Sequence, residues 1–386
     1  MTREDIDSAN NDPVKLLFFG DVGITSKMLD SSGFPRDLDI FRDTIDVMPC
    51  VDLKIANWET SINFDDKRRF QRPGMRAHSA AVNVAKMSGF DILCLCNNHT
   101  LDSGPDNLAK LLSCFSKLGI QTFGAGRNIR EAIQPLVVTV RGARIGFVGG
   151  CDFLCLAATS SKPGVAPLNA RRIINLVRTL RSEVDVVIVS IHADLEFHSF
   201  PSPWRRKFSR LLVDSGADLV VQHHPHVVQG IEMYRSSLIA YSLGNTCFKL
   251  SGNSYQGSRD DARWSVMLYV EIFNRAQLVI NHKLIPFAIG ENHIPQITSV
   301  AKSLFISNEI QKRSRLLHDE ESLKELWDEV AVSEAKSTLW GWYWCLRNNG
   351  FMSFFSRIKL DLSILGRRFA IFHCIRCAFS LRRKPF

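Results

Sequence analysis

The sequence has little that would assign it to a membrane-spanning, secreted or disulfide-rich class. No uncharged apolar run among the 386 residues reaches the roughly 18 residues that a transmembrane helix needs. The first eleven residues are polar and lack the apolar segment of a secretory signal. The ten cysteines show no regular spacing, which favours reduced thiols over a disulfide framework. These absences predict a cytoplasmic protein without signal peptide or transmembrane helix.

Low-complexity tracts and internal repeats are also absent, which argues against a solenoid or a propeller. A chain of this length, 45% hydrophobic, can bury one large core or one domain with an appendage. The net charge of +9 is unevenly placed. Residues 337–386 hold nine Lys or Arg against Asp361 alone, so the rest of the chain is near neutral.

The basic C-terminal segment also holds eleven aromatic residues between Trp340 and Phe386. Basic and aromatic residues together are typical of an interfacial helix on an anionic membrane surface. Gly350 and Gly366 are expected to interrupt such a helix. A helical cap that packs its aromatic side chains on the main domain is an equal alternative. Nucleic acid is the least favoured partner, because no readout motif accompanies the charge.

Apolar runs of strand length alternate with amphipathic helical segments in the first part of the chain. Strands are predicted at 14–20, 53–56, 90–96, 184–191 and 217–221, and helices at 79–88, 104–118, 169–181 and 203–215. Hairpins are predicted at 136–148 and 264–289. The predicted fold class is therefore α/β, as a mixed β-sheet sandwich flanked by helices.

Four parts of the chain follow from this organisation. They are a flexible N-terminus (1–13), the main domain (14–300), a closing helix (301–336) and a basic amphipathic C-terminal extension (337–386).

Polar side chains that can bind metal follow each of the five predicted strands. They are Asp21, Glu59, Asn98 with His99, His192, and His224 with His226. Side chains at the carboxyl ends of strands converge at one edge of an α/β sheet. Each short motif alone is more often a turn or a buried, hydrogen-bonded histidine, but their shared position predicts one site. Imidazole with oxygen ligands suits two divalent ions such as Mn, Fe or Zn, and such a pair can catalyse phosphoryl transfer.

The order of these motifs resembles that of the CapA family of poly-γ-glutamate capsule synthesis proteins. The motifs are Gly20-Asp21, Asn57-Trp58-Glu59, Asn97-Asn98-His99, His192 and His224-Pro225-His226. Two further stretches match, Gly124-Ala125-Gly126-Arg127-Asn128 and Tyr241-Ser242-Leu243-Gly244-Asn245, so the similarity covers about residues 14–289. The family is related to calcineurin-like metallophosphoesterases, and the resemblance implies their fold, two metal ions and hydrolytic chemistry.

The resemblance implies that Asp21 and His226 hold a first metal ion and that Glu59 bridges it to a second. The sequence departs from the metallophosphoesterase pattern at two of these positions. Gly23 stands where those enzymes commonly have a histidine, so the first ion would have fewer protein ligands. The bridging residue is Glu rather than Asp, and its side chain is longer by one methylene.

The resemblance implies that Asn98, His192 and His224 hold the second ion. His99 would stand beside the leaving group as a proton donor. The resemblance implies that His99, Asp21 and Glu59 form the catalytic set. The pair Ala193-Asp194 departs from the Trp-Gly that often follows the mid-chain histidine in the family.

Further residues are predicted to surround the ligands. They are Glu196, Asn57 and Asp102 as partners that orient ligand side chains, and Arg72 and Arg76 as contacts for an anionic substrate. Solvated surface charge is an equal alternative for Glu196 and the favoured interpretation of the two arginines. His223 adjoins the ligand pair, but if the strand continues, alternation predicts that its side chain points to the opposite face.

Two functions follow as hypotheses. The first is a metal-dependent, phosphoesterase-like hydrolase with a role in capsule or exopolymer synthesis, which the resemblance alone implies. Its substrate would be an anionic or phosphorylated polymer or an intermediate of its synthesis, and it would associate peripherally with the inner membrane face. The second is a non-catalytic accessory protein that binds or assembles the polymer on the same fold.

Overall fold

The architecture comes from a computed structural model that describes residues 12–65, 74–153, 156–250, 259–273, 279–363, 368, 371 and 372. The strands, numbered in chain order, are β1 (Val14–Gly23), β2 (Leu53–Trp58), β3 (Ser61–Asn63), β4 (Arg76–His78), β5 (Ile92–Cys94), β6 (Gln121–Phe123), β7 (Ala125–Gly126), β8 (Leu136–Val140), β9 (Ala143–Cys151), β10 (Gly164–Val165), β11 (Val186–His192), β12 (Leu219–His223), β13 (Ile231–Tyr234), β14 (Ser237–Ala240), β15 (Asn245–Phe248), β16 (Trp264–Phe273), β17 (Val279–Ile289) and β18 (Pro295–Gln296). The helices are α1 (Ser26–Leu29), α2 (Ala81–Met87), α3 (Pro105–Lys117), α4 (Ile129–Ile133), α5 (Ala170–Arg181), α6 (Pro203–Asp214), α7 (Val300–Leu316) and α8 (Glu320–Ser363).

Two mixed sheets form the centre of the molecule. The first has the strand order β18-β17-β16-β1-β2-β5-β6, with β15 also paired to β1. The second has the order β13-β14-β12-β11-β9-β8. Strands β1, β2, β5 and β6 run parallel to one another in the first sheet, as do β9, β11, β12 and β14 in the second. The strands that flank these two sets, β16 beside β1, β8 beside β9 and β13 beside β14, are antiparallel to them. The predicted mixed α/β sandwich flanked by helices is confirmed.

Apolar side chains pack on both faces of the central strands, which explains their near-continuous hydrophobic runs. One core lies between the sheets, where Phe123 of the first sheet contacts Phe147 of the second, with ring centroids 5.6 Å apart. A second core lies between the outer face of the second sheet and helices α5 and α6. Helices α5 and α6 begin at capping side chains, since the Asn169 side chain accepts from the Arg172 N–H and that of Ser202 from the Arg205 N–H.

Both predicted hairpins are present as antiparallel pairs, β8 with β9 and β16 with β17. The tight turn between β8 and β9 places Arg141 and Gly142 at φ values of 47° and 77°. Positive φ at both turn residues matches the right-handed twist of the flanking strands. The turn of the second hairpin, predicted around Asn274, lies outside the described residues.

The sequence predicts one closing helix over 301–336, whereas the structure has two helices, α7 and α8, separated at 317–319. Asp319 explains the new start, because its carboxylate accepts from the Ser322 N–H at 3.0 Å and so caps the first turn of α8. The first half of α8 packs on the domain through Trp327 and Ala331, which are buried against Leu195.

The far half of α8 folds back on the near half. The Trp342 Nε1 donates to the Asp361 Oδ2 at 2.8 Å, although 19 residues of straight helix would separate the two by about 28 Å. The helix must therefore bend sharply in the interval that contains Gly350, the predicted interruption. Gly366, the other predicted interruption, lies outside the described residues. Among the residues that the structure covers, no helix combines the length and apolarity needed to cross a bilayer.

Candidate metal centre

The predicted ligands meet at the edge where the carboxyl ends of both sheets come together. Asp21 lies near the end of β1, and Glu59 directly follows β2. From the second sheet, His192 is the last residue of β11, and His224 and His226 follow β12. These five side chains are at most 3% exposed. The site is thus built across the two sheets, with the carboxylates on the first and the imidazoles on the second.

Two overlapping groups of ligand atoms are close enough to hold one cation each. In one group, the ligand atoms of Glu59, His192 and His224 lie within 4.8 Å of one another. In the other, those of Asp21, Glu59 and His226 do so. Glu59 belongs to both groups, which is the position that a bridging carboxylate occupies between paired ions. Buried clusters of this composition are compatible with metal binding.

The carboxylate of Glu59 is fully buried, and within the described part of the chain neither of its oxygens has a hydrogen-bond partner. Its Oε1 lies 3.7 Å from His192 Nε2, 3.8 Å from His226 Nε2 and 3.9 Å from His99 Nε2. Burying a carboxyl group without hydrogen bonds costs roughly 1–3 kcal/mol, and ionising it there without a counter-charge costs more. A cation held between this carboxylate and the facing imidazoles would remove that cost, so the residues present fit a metal site.

Carboxamides orient the imidazole rings. His192 Nε2 lies 2.8 Å from the Asn98 Oδ1, which places Asn98 beside the Glu59, His192 and His224 group. The Asn57 Nδ2 donates to the Asp21 Oδ1 at 2.8 Å and lies 3.4 Å from His192 Nδ1. Asn57 therefore joins a carboxylate of the first sheet to an imidazole of the second, as a partner that orients ligands must do.

The charge states of the histidines differ within the site. Burial holds the pKa of His192 and of His224 well below its usual value, and neighbouring imidazoles add to this effect. Both rings are therefore neutral near pH 7, which is the form that binds metal. Burial also opposes charge on His226, but the carboxylates of Glu59 and Asp21 outweigh it and raise the pKa of His226 to about 10.

The two carboxylates are shifted in opposite directions. Burial raises the pKa of Glu59 well above its usual value, and the negative charge of Asp21 raises it further. Burial acts the same way on Asp21, but hydrogen bonds from His223 and His226 outweigh it and hold the pKa of Asp21 well below its usual value. Without a cation, the site thus holds an ionised Asp21 beside a protonated His226 and a Glu59 that resists ionisation.

The backbone after β12 is strained where it presents the histidines. His224 and His226 have φ values of 98° and 58°, in the region that residues with a Cβ rarely adopt. Strain of this kind costs on the order of 1–3 kcal/mol per residue and clusters at functional sites. Here it turns two imidazoles from one short loop toward the same buried carboxylate.

His99 and Asp102 stand together at the mouth of the site. The His99 Nδ1 lies 2.7 Å from the Asp102 Oδ2, and the His99 side chain is 26% exposed. The Asp102 carboxylate also accepts the Met75 N–H at 2.6 Å, so it is held in place. The contact with Asp102 fixes the His99 ring so that its Nε2 faces Glu59.

The residues predicted to contact substrate are only partly located. The Arg76 Nε donates to the Asp102 backbone oxygen at 2.7 Å, which places the guanidinium next to the mouth. Arg72 lies outside the described residues. Glu196 is exposed, and its carboxylate lies within 4.8 Å of ligand atoms of His224 and His226.

The strand does not continue past His223, so the opposite-face orientation predicted for a continuing strand does not apply. The His223 Nδ1 lies 3.4 Å from the Asp21 Oδ1, on the same side as the other ligands, and its side chain is 5% exposed. Alternation holds only while the chain remains a strand, and β12 ends at His223. The chain then turns at His224, so all three histidines of this segment reach the site.

Packing explains why position 23 carries no ligand. A Cβ on Gly23 would lie 2.3 Å from the ring of Phe248, which is itself buried. The histidine expected from metallophosphoesterases would therefore collide with this ring. Asn245, which was not among the predicted site residues, lies close by instead, with its Oδ1 2.9 Å from His226 Nδ1. The sequence signal for Asn245 is its place at the end of the matched stretch Tyr241-Ser242-Leu243-Gly244-Asn245.

Asp194, which differs from the family's usual residue at this position, belongs to a buried ionic network behind the imidazoles. The Asp194 Oδ2 accepts the Ser202 N–H at 2.7 Å and lies 3.7 Å from the Arg205 Nη1. The Asp194 N–H donates to the Asp152 Oδ2 at 3.1 Å, and the Asp152 N–H donates to the His192 backbone oxygen at 3.1 Å. This network ties the loop that follows β11 to the backbone of a ligand.

Comparison with known protein families gives a match over most of the domain. The profile of the bacterial capsule synthesis protein family PGA_cap matches residues 15–250. The capsule biosynthesis protein CapA of Bacillus anthracis is 29% identical over 219 residues, which are 54% of this chain and 53% of that protein. The PGA biosynthesis protein CapA of Bacillus subtilis (strain 168) is 29% identical over 250 residues, 62% of this chain and 64% of that protein. The chain therefore spans between half and two thirds of the length of these two relatives.

Among solved structures, a 5′-nucleotidase precursor from Thermus thermophilus is similar to the chain with a TM-score of 0.43 and 15% identity. The similarity covers 80% of this chain and 59% of that structure.

Proposed function

The chain belongs to the bacterial capsule synthesis protein family PGA_cap, and from this premise we propose that it is a metal-dependent hydrolase of the metallophosphoesterase type. The observation that carries the proposal is the buried Glu59 carboxylate, which has no hydrogen-bond partner in the described residues and is shared by two ligand groups. Its biological role would be in the synthesis of a capsule or related exopolymer of the poly-γ-glutamate type, as the names of its relatives indicate for those proteins.

The site would hold two divalent ions. Asp21, Glu59 and His226 would bind one, and Glu59 with His192 and His224 would bind the other. The mixture of imidazole and carboxylate ligands suits Mn, Fe or Zn and is a poor match for Ca. When bound, such ions supply Lewis acidity toward water and phosphoryl oxygens.

The chain's own residues would handle the proton and the substrate. His99 stands at the partly exposed mouth with Nδ1 on Asp102, so a ring that carries a proton on both nitrogens would give the Nε2 proton to a departing oxygen and return to the neutral form. Arg76, held against the Asp102 backbone oxygen, would form an ion pair with a negatively charged group of the substrate. We expect the substrate to be an anionic or phosphorylated polymer or an intermediate of its synthesis.

One observation favours a second function, that of a non-catalytic accessory that binds or guides the polymer. The group around Asp21 offers one imidazole, and Phe248 occupies the space where a further ligand at Gly23 would lie. An ion at this position would be held by fewer protein ligands. A protein that loads only one ion could still bind an anionic polymer without cleaving it.

Metal content decides first between a metal centre and a structural cluster. Wild type purified without chelator is compared by elemental analysis with Glu59→Gln and His224→Ala, beside His282→Ala as a control at an exposed histidine. We expect one to two transition-metal ions per chain in wild type and in the control, with loss in both site variants. Wild type that stays empty after incubation with Mn, Fe and Zn would refute the hydrolase.

Turnover then separates the two functions. The loaded protein is assayed on phosphomonoester and phosphodiester nitrophenyl substrates, beside His99→Asn, which removes the proton donor and keeps the metal ligands. Hydrolysis that depends on His99 supports the phosphoesterase. A fully loaded protein without turnover, which retains binding of a polyanion such as poly-γ-glutamate, supports the accessory role.

A further inference from the structure

The far part of α8 forms two short arms, residues 337–347 and 352–362, which we name the C-terminal hairpin. The arms are joined through Asp361, which is fully buried and accepts from the Trp342 Nε1 at 2.8 Å and from the Arg357 Nε at 2.9 Å. The side chains of Cys345 and Ile358 are half-buried on the inner side. The two arms are therefore in contact with each other through a buried carboxylate.

The outer face of the hairpin is apolar and exposed. Its exposed large side chains include Leu339, Trp340, Tyr343, Leu346 and Met352, with exposures of 54%, 67%, 51%, 38% and 82%. On the first arm, four of them recur at the three- and four-residue spacing that places side chains on one side of a helix. The rings of Trp340 and Tyr343 are 5.4 Å apart, so they form a continuous patch. A soluble protein seldom leaves such a patch in water unless it contacts a partner.

Charge indicates which partner fits. The only acidic residue between 337 and 386 is Asp361, and the hairpin buries it in contact with Arg357. The remaining charge of this segment is positive, and within the hairpin Arg347, four residues after Tyr343 on the first arm, and Lys359 are exposed. A second copy of the same face would bring two segments of like charge together, which disfavours a homodimer through this surface.

We propose that the C-terminal hairpin is a docking surface for an anionic lipid membrane. Trp and Tyr prefer the boundary between headgroups and acyl chains, where their rings are buried and their polar atoms stay hydrated. Arg and Lys beside them pair with anionic headgroups. The hairpin lies in the plane of the surface with its outer face down, since no helix among the described residues can span a bilayer.

The inference does not depend on the metal centre, so the two can fail separately. The full-length protein is sedimented with vesicles of phosphatidylcholine alone and with vesicles containing 30% phosphatidylglycerol, at low and high salt. We expect binding to the anionic vesicles, weak binding to the neutral ones, and weakening as salt rises. Trp fluorescence should shift to shorter wavelength on binding.

Two sets of variants identify the surface. The triple variant Leu339→Ser, Trp340→Ser, Tyr343→Ser should bind anionic vesicles about tenfold more weakly or worse, because affinity follows the buried apolar area. Arg347→Gln should weaken binding about fivefold, the effect of one basic residue near such a surface. The matched control is Met233→Ser with Val137→Ser, at exposed apolar residues outside the hairpin, 43% and 38% exposed.

The proposal would be overturned if the wild-type protein does not bind anionic vesicles, or if the triple variant binds them as tightly as wild type does. Light scattering, which gives the molecular mass in solution, tests whether a second copy of the chain covers this face instead. A wild-type dimer that dissociates in the triple variant and does not bind vesicles would assign the face to a second copy of the chain. Metal content and melting temperature, unchanged in the triple variant, show that the domain is intact.

Discussion

Replacing Glu59 with methionine should change the stability of the protein in opposite directions with and without metal. Glu59 is fully buried, and in the described part of the chain neither oxygen has a hydrogen-bond partner. Methionine has a similar volume and no group that loses hydration on burial. In chelated protein the substitution should therefore remove a cost of about 2 kcal/mol, since an unsatisfied buried polar group costs roughly 1–3 kcal/mol.

In metal-loaded protein the same substitution removes a ligand from both groups. At a free-ion concentration 100 times the dissociation constant, each bound ion stabilises the folded state by about 2.7 kcal/mol. Loss of two ions outweighs the gain from methionine and leaves the variant less stable than wild type by about 3 kcal/mol. At roughly 2 °C per kcal/mol for a chain of this size, the variant should melt about 4 °C higher in chelator and about 6 °C lower with Mn.

The assay is thermal unfolding by circular dichroism in chelator and in excess Mn, with Glu232→Met as the matched control. Glu232 is also buried, but its carboxylate is paired with Arg210 and accepts from the Tyr241 hydroxyl at 2.8 Å. Its loss should destabilise by about 3 kcal/mol in both conditions, because a buried pair is broken. If Glu59→Met destabilises in chelator as Glu232→Met does, the Glu59 carboxylate is satisfied in the metal-free protein and the reasoning fails.

Three further predictions concern the same site. Metal affinity should rise with pH, because a cation must displace the proton of His226, whose pKa is raised to about 10, and the proton of Glu59, whose pKa is also raised. A constant affinity in competition titrations at pH 6, 7 and 8 would contradict this prediction. His99→Asn should lower kcat for a phosphate ester about 10²–10⁴-fold with metal content unchanged, and equal loss of metal would show that His99 is a ligand. His223→Asn should lower metal affinity about 10–100-fold by freeing the Asp21 carboxylate, whereas an unchanged affinity in the same titration would assign His223 to packing alone.

The sequence was sufficient to bring most of the site together, for a reason of topology. Asp21 and Glu59 follow apolar runs of the first sheet and His192 follows one of the second, and parallel strands of a sheet end at one edge. Identifying the strands therefore located the candidate ligands within each sheet, whereas the meeting of the two sheet edges is seen only in the structure. The pairing of Asn57 with Asp21 follows from the same register, since the two residues are opposite each other on β1 and β2.

What the sequence did not predict depends on the backbone where strands end. The orientation of His223 could not be read from alternation, because the chain leaves β12 at that residue with a left-handed turn at His224. The close contact of Phe248 with Gly23 depends on the pairing of β15 with β1, two segments more than 200 residues apart. Likewise, only the Trp342–Asp361 contact shows that α8 turns back on itself.

The division of ligands between the two sheets has a consequence for biosynthesis. The His224 backbone N–H and the Asp21 carboxylate lie 3.3 Å apart, although 203 residues separate them along the chain. A growing chain that has emerged from the ribosome only as far as β9 would display both carboxylates and none of the three histidines of the two ligand groups. Such long-range closures are slow and are completed late. Metal capture would therefore require that synthesis has passed His226 and that the two sheet edges have met. An ion bound then would hold the early strands β1 and β2 to the later strands β11 and β12.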